Sequence, residues 1–301
     1  MKVSIITPCL NRVGYIEEAI RSVMGQNYPE IEHVVVDGGS TDGTLDILRN
    51  YPGVNVLCGP DRGMYDAINK GLSVASGDIV GFLNSDDIYI TDVFSDVVEK
   101  FQDDTVFAVV GGAIVFSETP SGGKVVVQEF SPTDASLLEL TTLGSPFFNA
   151  WFFRRALFDK IGNLDNHYRI VADREFMLRF ALSGLGYTRI PRVVYQYRHH
   201  AESMTFDIND HKLEQIVREH IYMTNIYLRK TNISQQTRLL IQQERTQDTL
   251  EMAVRALRKG KPGKTLYFLL AGMRYDLTWI AKFSKRASGR LWRLLSKGQK
   301  I

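Results

Sequence analysis

Apolar and polar positions along the first 115 residues alternate between two periods. Short β-rich runs at Val3–Thr7, His33–Val36, Val54–Leu57, Ile79–Leu83 and Val106–Val110 predict strands. The stretches between them carry apolar residues at helical spacing. Tyr15–Met24 places Ile16, Ala19, Ile20 and Val23 on one face, and Thr44–Leu48, Met64–Ser73 and Val93–Phe101 predict further helices. Such alternation predicts an α/β fold with a mostly parallel, Rossmann-like sheet flanked by helices on both faces.

Beyond this region the pattern changes. Residues 113–130 read as an antiparallel pair around Ser121-Gly122-Gly123. Leu137–Leu140 and Ala156–Ile161 predict short helices, and Phe152–Arg154 and Val193–Tyr197 predict strands. Asp173–Ser183 predicts a helix with Phe176, Met177 and Phe180 inward. From about residue 211 the chain reads as a hairpin of two long helices followed by a tail. The expected division is a body over 1–205, with halves 1–115 and 116–205, and a helical extension over 206–301.

Composition narrows the class. A chain of 301 residues with 44% hydrophobic and 23% charged positions has a core, so disordered and fibrous classes are excluded. Cys9 and Cys58 are too few for a disulfide scaffold, and both are expected to be buried free thiols in a reducing compartment. The opening VSIITP does not read as a secretory leader, and no uncharged run is long enough to span a membrane. The near-neutral total hides a split: residues 255–301 carry +12 and the rest of the chain −10. A basic tail on an acidic body predicts a phosphate-bearing partner.

In an open parallel sheet, ligands bind beyond the carboxyl ends of the strands. The segments there are Thr7-Pro8-Cys9-Leu10-Asn11-Arg12, Asp37-Gly38-Gly39-Ser40, Gly59-Pro60-Asp61-Arg62-Gly63 and Asn84-Ser85-Asp86-Asp87. Small residues and carboxylates share one rim, without the glycine-rich phosphate motifs of dinucleotide or P-loop sites. Asp86 and Asp87 are hard oxygen ligands suited to Mg²⁺ or Mn²⁺; the alternative is that Asp87 or Asp92 caps the helix near Val93. Asp173, in Val171-Ala172-Asp173-Arg174-Glu175-Phe176, is a candidate general base or an ordinary N-cap.

Three segments carry a family resemblance. SIITPCLNRVGYIEEAIRSVMGQNYPEIEHVVVDGGSTDGT resembles the opening of the family 2 glycosyltransferases, which have a GT-A fold. GPDRGMYDAINKGLSVASGDIVGFLNSDD resembles the approach to that family's Asp-x-Asp metal motif, and FFRRALFDKIGNLDNHYRIVADREFMLRF the segment with its general base. The likeness covers residues 1–205 and is nearest in flavour to bacterial enzymes of exopolysaccharide, lipopolysaccharide and glycolipid synthesis. It implies inverting transfer from a nucleoside-diphosphate sugar to a hydroxyl of a glycan or lipid-linked acceptor. It further implies Asp173 as base with Glu175 as fallback. A Mn²⁺ or Mg²⁺ ion would lie on Asp86, with Asp87 in support and His200 as a further ligand; His199 is a rival. Arg62, Lys70 and Arg198 are candidates for the diphosphate. Asp37 is expected to accept from a base N–H, with Pro8 nearby, which favours UDP or dTDP. Thr7, Asn11, Asp61, Asn84 and Ser85 are the remaining expected nucleotide contacts, and Phe147, Phe148 and Trp151 are candidates to stack on an acceptor sugar.

The chain departs from the family pattern at two places. Asn84 stands where Asp is frequent, and Phe148-Asn149 stands where many relatives have His-Gln. The competing readings are a sugar-nucleotide nucleotidyltransferase and a non-catalytic nucleotide- or glycan-binding relative. No motif supports nucleic-acid binding. In the tail, Arg286, Arg290, Arg293 and Lys297 share a helical face opposite Leu291 and Leu295, with Trp292 on the flank. That pattern predicts a helix on an anionic membrane surface, hence a cytoplasmic enzyme peripheral to the inner face of the cell membrane. The alternative is packing of the C-terminal helices against the body or in a homo-oligomer.

Overall fold

The computed structural model describes residues 1–119, 122–144, 147–200, 210–276 and 278. They form two units: Met1–Leu137 with Ser145–Asp207, and Leu138–Gly144 with the chain from Ile208 onward.

The first unit begins with strands β1 (Val3–Cys9), β2 (Ile31–Asp37), β3 (Val54–Cys58) and β4 (Ile79–Phe82), all parallel in the order β3-β2-β1-β4. Helices α1 (Ile16–Met24), α2 (Thr44–Arg49) and α3 (Met64–Val74) connect them. Ile16, Ala19, Ile20 and Val23 are buried as their spacing predicts. One cluster joins Ile16 and Ile20 of α1 to Cys9, Val35, Leu48 and Val54. Burial pushes the Cys9 thiol up to about 12, with the charge of Asp37 acting in the same direction, so Cys9 is a packing residue. Cys58, expected to be buried, is exposed because it ends the outermost strand of the parallel row.

The rest of the sheet is mixed rather than parallel. A two-residue strand β5 (Ile88–Tyr89) precedes helix α4 (Phe94–Lys100), and strands β6 (Val106–Glu118) and β7 (Lys124–Phe130) follow. After helix α5 (Leu137–Leu143) and a 3₁₀ turn at Phe148–Ala150 come β8 (Trp151–Arg154), helices α6 (Ala156–Ile161) and α7 (Ala172–Ser183), and β9 (Gly186–Arg198). β8 lies between β4 and β6 and is antiparallel to both, whereas β6 and β9 run parallel. β6 is one strand through Gly111-Gly112, where a strand at Val106–Val110 and a separate antiparallel pair over 113–130 were expected. The glycines admit a close neighbour: a Cβ on Gly111 would stand 2.3 Å from Val194 Cγ1 of β9. Val3, Ile79, Phe94, Val109, Phe152 and Tyr195 pack into a second cluster. Each buried aromatic ring of this kind is worth about 1.5–3 kcal/mol of transfer free energy.

The second unit holds helices α8 (Asp210–Arg229), α9 (Gln235–Arg258) and α10 (Pro262–Met273). The expected two-helix hairpin gains a third helix because Gly260, at φ +63, ends one and Pro262 opens the next. Val217 and Ile221 of α8, Leu250 and Ala253 of α9 and Phe268 of α10 form its core. Buried Arg245 donates to the carbonyls of Ala271 (2.9 Å) and Ile221 (3.0 Å) and to Thr224 Oγ1 (2.8 Å), which ties α9 to both neighbours. Among the described residues no helix is long and apolar enough to cross a membrane. The basic face predicted at 286–297 lies outside the described residues.

Glu32 on β2 gathers donors at the amino-terminal edge of the sheet. It accepts from Ser4 Oγ, Ser76 N (2.8 Å), Ser76 Oγ (2.9 Å) and Lys2 Nζ (3.1 Å). Burial acts to raise its carboxyl, but these donors outweigh it and hold the group down at about 2. Its folded value lies below the unfolded one, so the stability it contributes is present above about pH 4.5 and is lost as pH falls toward 2. Glu32→Gln is expected to cost about 2 kcal/mol at pH 7, or roughly 4–8 °C in Tm. The variant should also flatten the fall in Tm between pH 5 and 3, as read by circular dichroism at each pH. A variant curve parallel to wild type would show that Glu32 contributes nothing to acid sensitivity.

Candidate active site

The carboxyl ends of β2, β1 and β4 lie side by side because the strands are adjacent and parallel. At the β2 end Asp37 is fully buried. Its Oδ1 accepts from Gly39 N (2.9 Å) and Ser40 N (2.7 Å), and its Oδ2 from Ser40 Oγ (2.6 Å). The carboxylate thereby shapes the turn after β2. A Cβ on Gly38 would stand 2.6 Å from Asp61 Oδ2, so glycine there lets Asp61 approach the same turn. Exposed Asn11 joins it from β1: its backbone N donates to Ser40 Oγ (2.8 Å) and its Oδ1 accepts from Thr41 N (2.9 Å). Asn11, Asp37 and Asp61 are thus brought together. Thr7, Pro8 and Ser85 are buried, and the Thr7 hydroxyl is 2.9 Å from His33 Nε2 inside the sheet layer.

Asp86 and Asp87 follow β4 and diverge. Asp87 is 1% exposed. Its Oδ1 accepts from Arg198 N (2.7 Å), and its Oδ2 from Tyr195 Oη (2.5 Å) and Asn84 Nδ2 (2.9 Å). Burial pushes the Asp87 carboxyl up, and the charge of Asp86 pushes the same way. It caps no helix, since α4 begins at Phe94 after Val93. Asp86 keeps 18% of its side chain exposed, and its Oδ2 lies 3.1 Å from His200 Nε2 and 3.6 Å from Arg12 Nε. His200 stacks on Tyr15 at 4.9 Å. His199 instead lies 3.1 Å, through Nδ1, from Ser117 Oγ of β6.

The structure puts the three basic residues expected at a diphosphate in different surroundings. Arg198 is 3% exposed, binds Glu18 and Glu118, and lies over the rings of Tyr15 (5.2 Å) and Phe116 (4.9 Å). Its Nε donates to the Asp86 carbonyl at 2.9 Å. Its charge is matched from below the rim, so it braces the loop. Arg62 and Lys70 bind Asp66 of α3 at 2.7 and 3.3 Å, as an i,i+4 pair on each side of that residue. The cation that stands beside Asp86 is Arg12, held by its backbone N on Thr44 Oγ1 (2.8 Å).

Asp173 occupies the first turn of α7, where the positive end of the helix favours an anion. Its Oδ1 lies 3.0 Å from Tyr65 Oη and accepts from Arg174 N at 2.8 Å. Tyr65 is in the first turn of α3, just past the β3 end, so Asp173 belongs to the same rim. Glu175, two residues on, is buried and accepts from Arg179 Nε (3.0 and 2.8 Å), while Arg179 Nη1 and Nη2 donate to the Gly162 (3.1 Å) and Asn163 (2.7 Å) carbonyls. It is a packing residue. Phe148 and Trp151, expected at an acceptor sugar, are core: Phe148 stacks on Phe82 at 5.0 Å, and Trp151 on Phe153 at 6.3 Å. Phe147 is partly buried against Phe130 (4.5 Å).

Arg12, Tyr65 and Tyr195 were not singled out by sequence. Arg12 had a signal, since it directly follows Asn11 beyond β1. Tyr195 had none, because a tyrosine in an apolar strand reads as core.

Residues 4–162 match the family model described as glycosyl transferase family 2. A PGL/p-HBAD biosynthesis glycosyltransferase of Mycobacterium bovis is 32% identical over 202 residues, which cover 64% of this chain and 74% of that protein. An uncharacterized glycosyltransferase of Mycobacterium tuberculosis is 36% identical over 199 residues, covering 60% and 69%. Among solved structures, S. aureus TarS 1–349 in complex with UDP-GlcNAc aligns over 94% of this chain and 92% of its own, with a TM-score of 0.54 and 18% identity, a likeness of fold. The rim of carboxylates, the sheet that carries it and these matches agree: the chain belongs to glycosyl transferase family 2, has a GT-A fold, and is a glycosyltransferase.

Proposed function

We propose that the chain catalyses inverting transfer from a pyrimidine nucleoside-diphosphate sugar to a hydroxyl of a glycan or lipid-linked acceptor. The observation that carries this reading is the division of roles on one rim: Asp86 is open beside His200 and Arg12, and Asp173 stands apart beside Tyr65. An inverting displacement needs those two functions in different places, one for the departing diphosphate and one for the attacking hydroxyl. Asp173 takes the acceptor proton, and the Arg174 backbone N fixes the oxygen that is not used for it, beside a Tyr65 hydroxyl shared between that oxygen (3.0 Å) and the Ile170 carbonyl (2.7 Å). Arg12 adds positive charge on the diphosphate side. The turn built by Asp37, with Asn11 and Asp61 against it, holds the base and ribose. The UDP and UDP-GlcNAc complexes of TarS agree with a uracil nucleotide.

The Asp86 oxygen and His200 nitrogen, 3.1 Å apart and both partly exposed, fit Mn²⁺ or Mg²⁺. Such an ion supplies charge against the leaving diphosphate. Asp87 supports Asp86 from beneath, with both of its oxygens engaged by protein donors. The predicted basic helix at 286–297 would bring the enzyme to an anionic membrane surface, which suits a lipid-linked acceptor.

In a thermal-shift panel, UDP and dTDP with Mn²⁺ should stabilise the protein more than GDP. EDTA and Asp86→Ala should each remove the Mn²⁺-dependent part and abolish transfer. Full turnover in EDTA would refute the metal assignment.

Asp173→Asn keeps shape and removes basicity. Its kcat should fall by about 10²–10⁴-fold with the donor KM nearly unchanged. Normal turnover by this variant, with loss in Tyr65→Phe alone, would move the base elsewhere.

The full chain should co-sediment with vesicles containing anionic lipid, less so in high salt, while a 1–278 chain stays in the supernatant. Equal behaviour of the two would dismiss the membrane role and favour self-association, which analytical ultracentrifugation measures.

A further inference from the structure

We propose that Tyr195 is a positioning residue of the donor site, and that its hydroxyl couples the loop presenting Asp86 to the turn at Asn149. The proposal rests on the nucleotide-and-metal reading above. Tyr195 has no exposed surface, and its ring meets Tyr89 edge-on at 5.7 Å. Its hydroxyl is a junction: it donates to Asp87 Oδ2 (2.5 Å), accepts from Asn149 Nδ2 (2.8 Å), and is approached by Asn84 N at 3.5 Å. A phenol has one proton to give, and here the carboxylate receives it; the amide of Asn149 must then be the donor.

This junction governs the peptide that carries Asp86. Arg198 Nε holds the Asp86 carbonyl at 2.9 Å, and the Asp87 side chain, one residue on, is clamped by Tyr195, Asn84 and the Arg198 backbone. Releasing one clamp lets the peptide rotate and shifts Asp86 Oδ2 relative to His200. On the other side, Asn149 lies in the 3₁₀ turn entered through Phe147, whose φ of 38° is strained for a residue with a Cβ. Such a turn persists when tertiary bonds hold it, and Asn149–Tyr195 is one of them.

The two departures from the family pattern thus meet across one hydrogen bond: Asn84 Nδ2 donates to Asp87 Oδ2, and Asn149 Nδ2 to the Tyr195 hydroxyl that donates to the same oxygen. An aspartate at 84 would face the buried Asp87 carboxylate with no proton to donate, and a residue lacking an amide or similar donor at 149 would leave the phenol with only the long approach of Asn84 N. Neutral amides at both positions are what this buried junction requires.

The test compares wild type, Tyr195→Phe, Asn149→Ala and the double variant as full chains. Calorimetry measures UDP binding with and without Mn²⁺, and melting curves are recorded for each protein. Tyr195→Phe keeps the packed ring and should weaken Mn²⁺-dependent UDP binding about tenfold while leaving Mn²⁺-free UDP binding nearly unchanged, with a lower melting temperature because Asp87 loses a donor. Asn149→Ala should weaken it less, and the double variant should be no worse than Tyr195→Phe, because the two act through one junction. An unchanged Mn²⁺ increment in Tyr195→Phe, or equal losses with and without Mn²⁺, would overturn the proposal. Should Tyr195→Phe fail to fold, Asn149→Ala, which removes the amide donor to the same hydroxyl, is judged by the same criteria. A wild-type protein with no Mn²⁺ increment would instead overturn the metal reading itself, and this proposal with it.

Discussion

A carboxylate shut away from water at the end of a central strand needs donors wherever the chain can supply them, and Asp87 is that group. An unmatched buried anion costs several kcal/mol, so the surrounding chain is constrained to bring it hydrogen bonds. They come from two distant places: the loop that carries it, through Asn84, and the last strand, through Tyr195 and the Arg198 backbone. β9 must therefore run beside β5 and reach the rim of the parallel half. The mixed half of the sheet, with β8 inserted between β4 and β6, is the scaffold that delivers it there.

A second buried charge extends the same logic outward. Arg198 meets Glu18 of α1 and Glu118 of β6, and Lys124 of β7 reaches Glu18 at 2.6 Å. The two aromatic faces under the guanidinium are Tyr15, the residue that caps the start of α1, and Phe116 of β6. Tyr15 also stacks on His200, so the histidine beside Asp86 is held by the element that balances Arg198. Charges below the rim are paired with one another, which leaves Asp86 and Arg12 as the partly open pair on top.

Much of this was legible in the chain because periodicity reports packing directly. α1 shows its buried face in Ile16, Ala19, Ile20 and Val23, and the rim segments are recognisable because glycines and carboxylates follow each parallel strand. β5 escaped notice, since two residues establish no period. The continuity of β6 through Gly111-Gly112 was not expected, because the reason for the glycines, the approach of Val194, lies more than eighty positions away. The different surroundings of Asp86 and Asp87 were legible only through the family resemblance, not from the two residues themselves. Adjacent residues of identical chemistry differ only in the direction their side chains take, and distant Tyr195 and Arg198 set that direction. The same holds for Arg198, whose charge looks available until Glu18 and Glu118 are seen beside it.

The pairing of β6 with β9 has a consequence in time. Val106 pairs with Gly186 and Phe116 with Arg198, so this parallel contact closes a long loop, whereas β1 to β4 draw only on the first 82 residues. Chains that emerge from the ribosome fold what they have, and distant strand pairs form late. The rim of the parallel strands is therefore outlined early but left with Asp87 unanswered, and the edge of β6 waits open beside it. Arrival of Tyr195 and Arg198 both caps that edge and neutralises the demand of Asp87, so the last strand to be synthesised is the one that completes the first part to be folded.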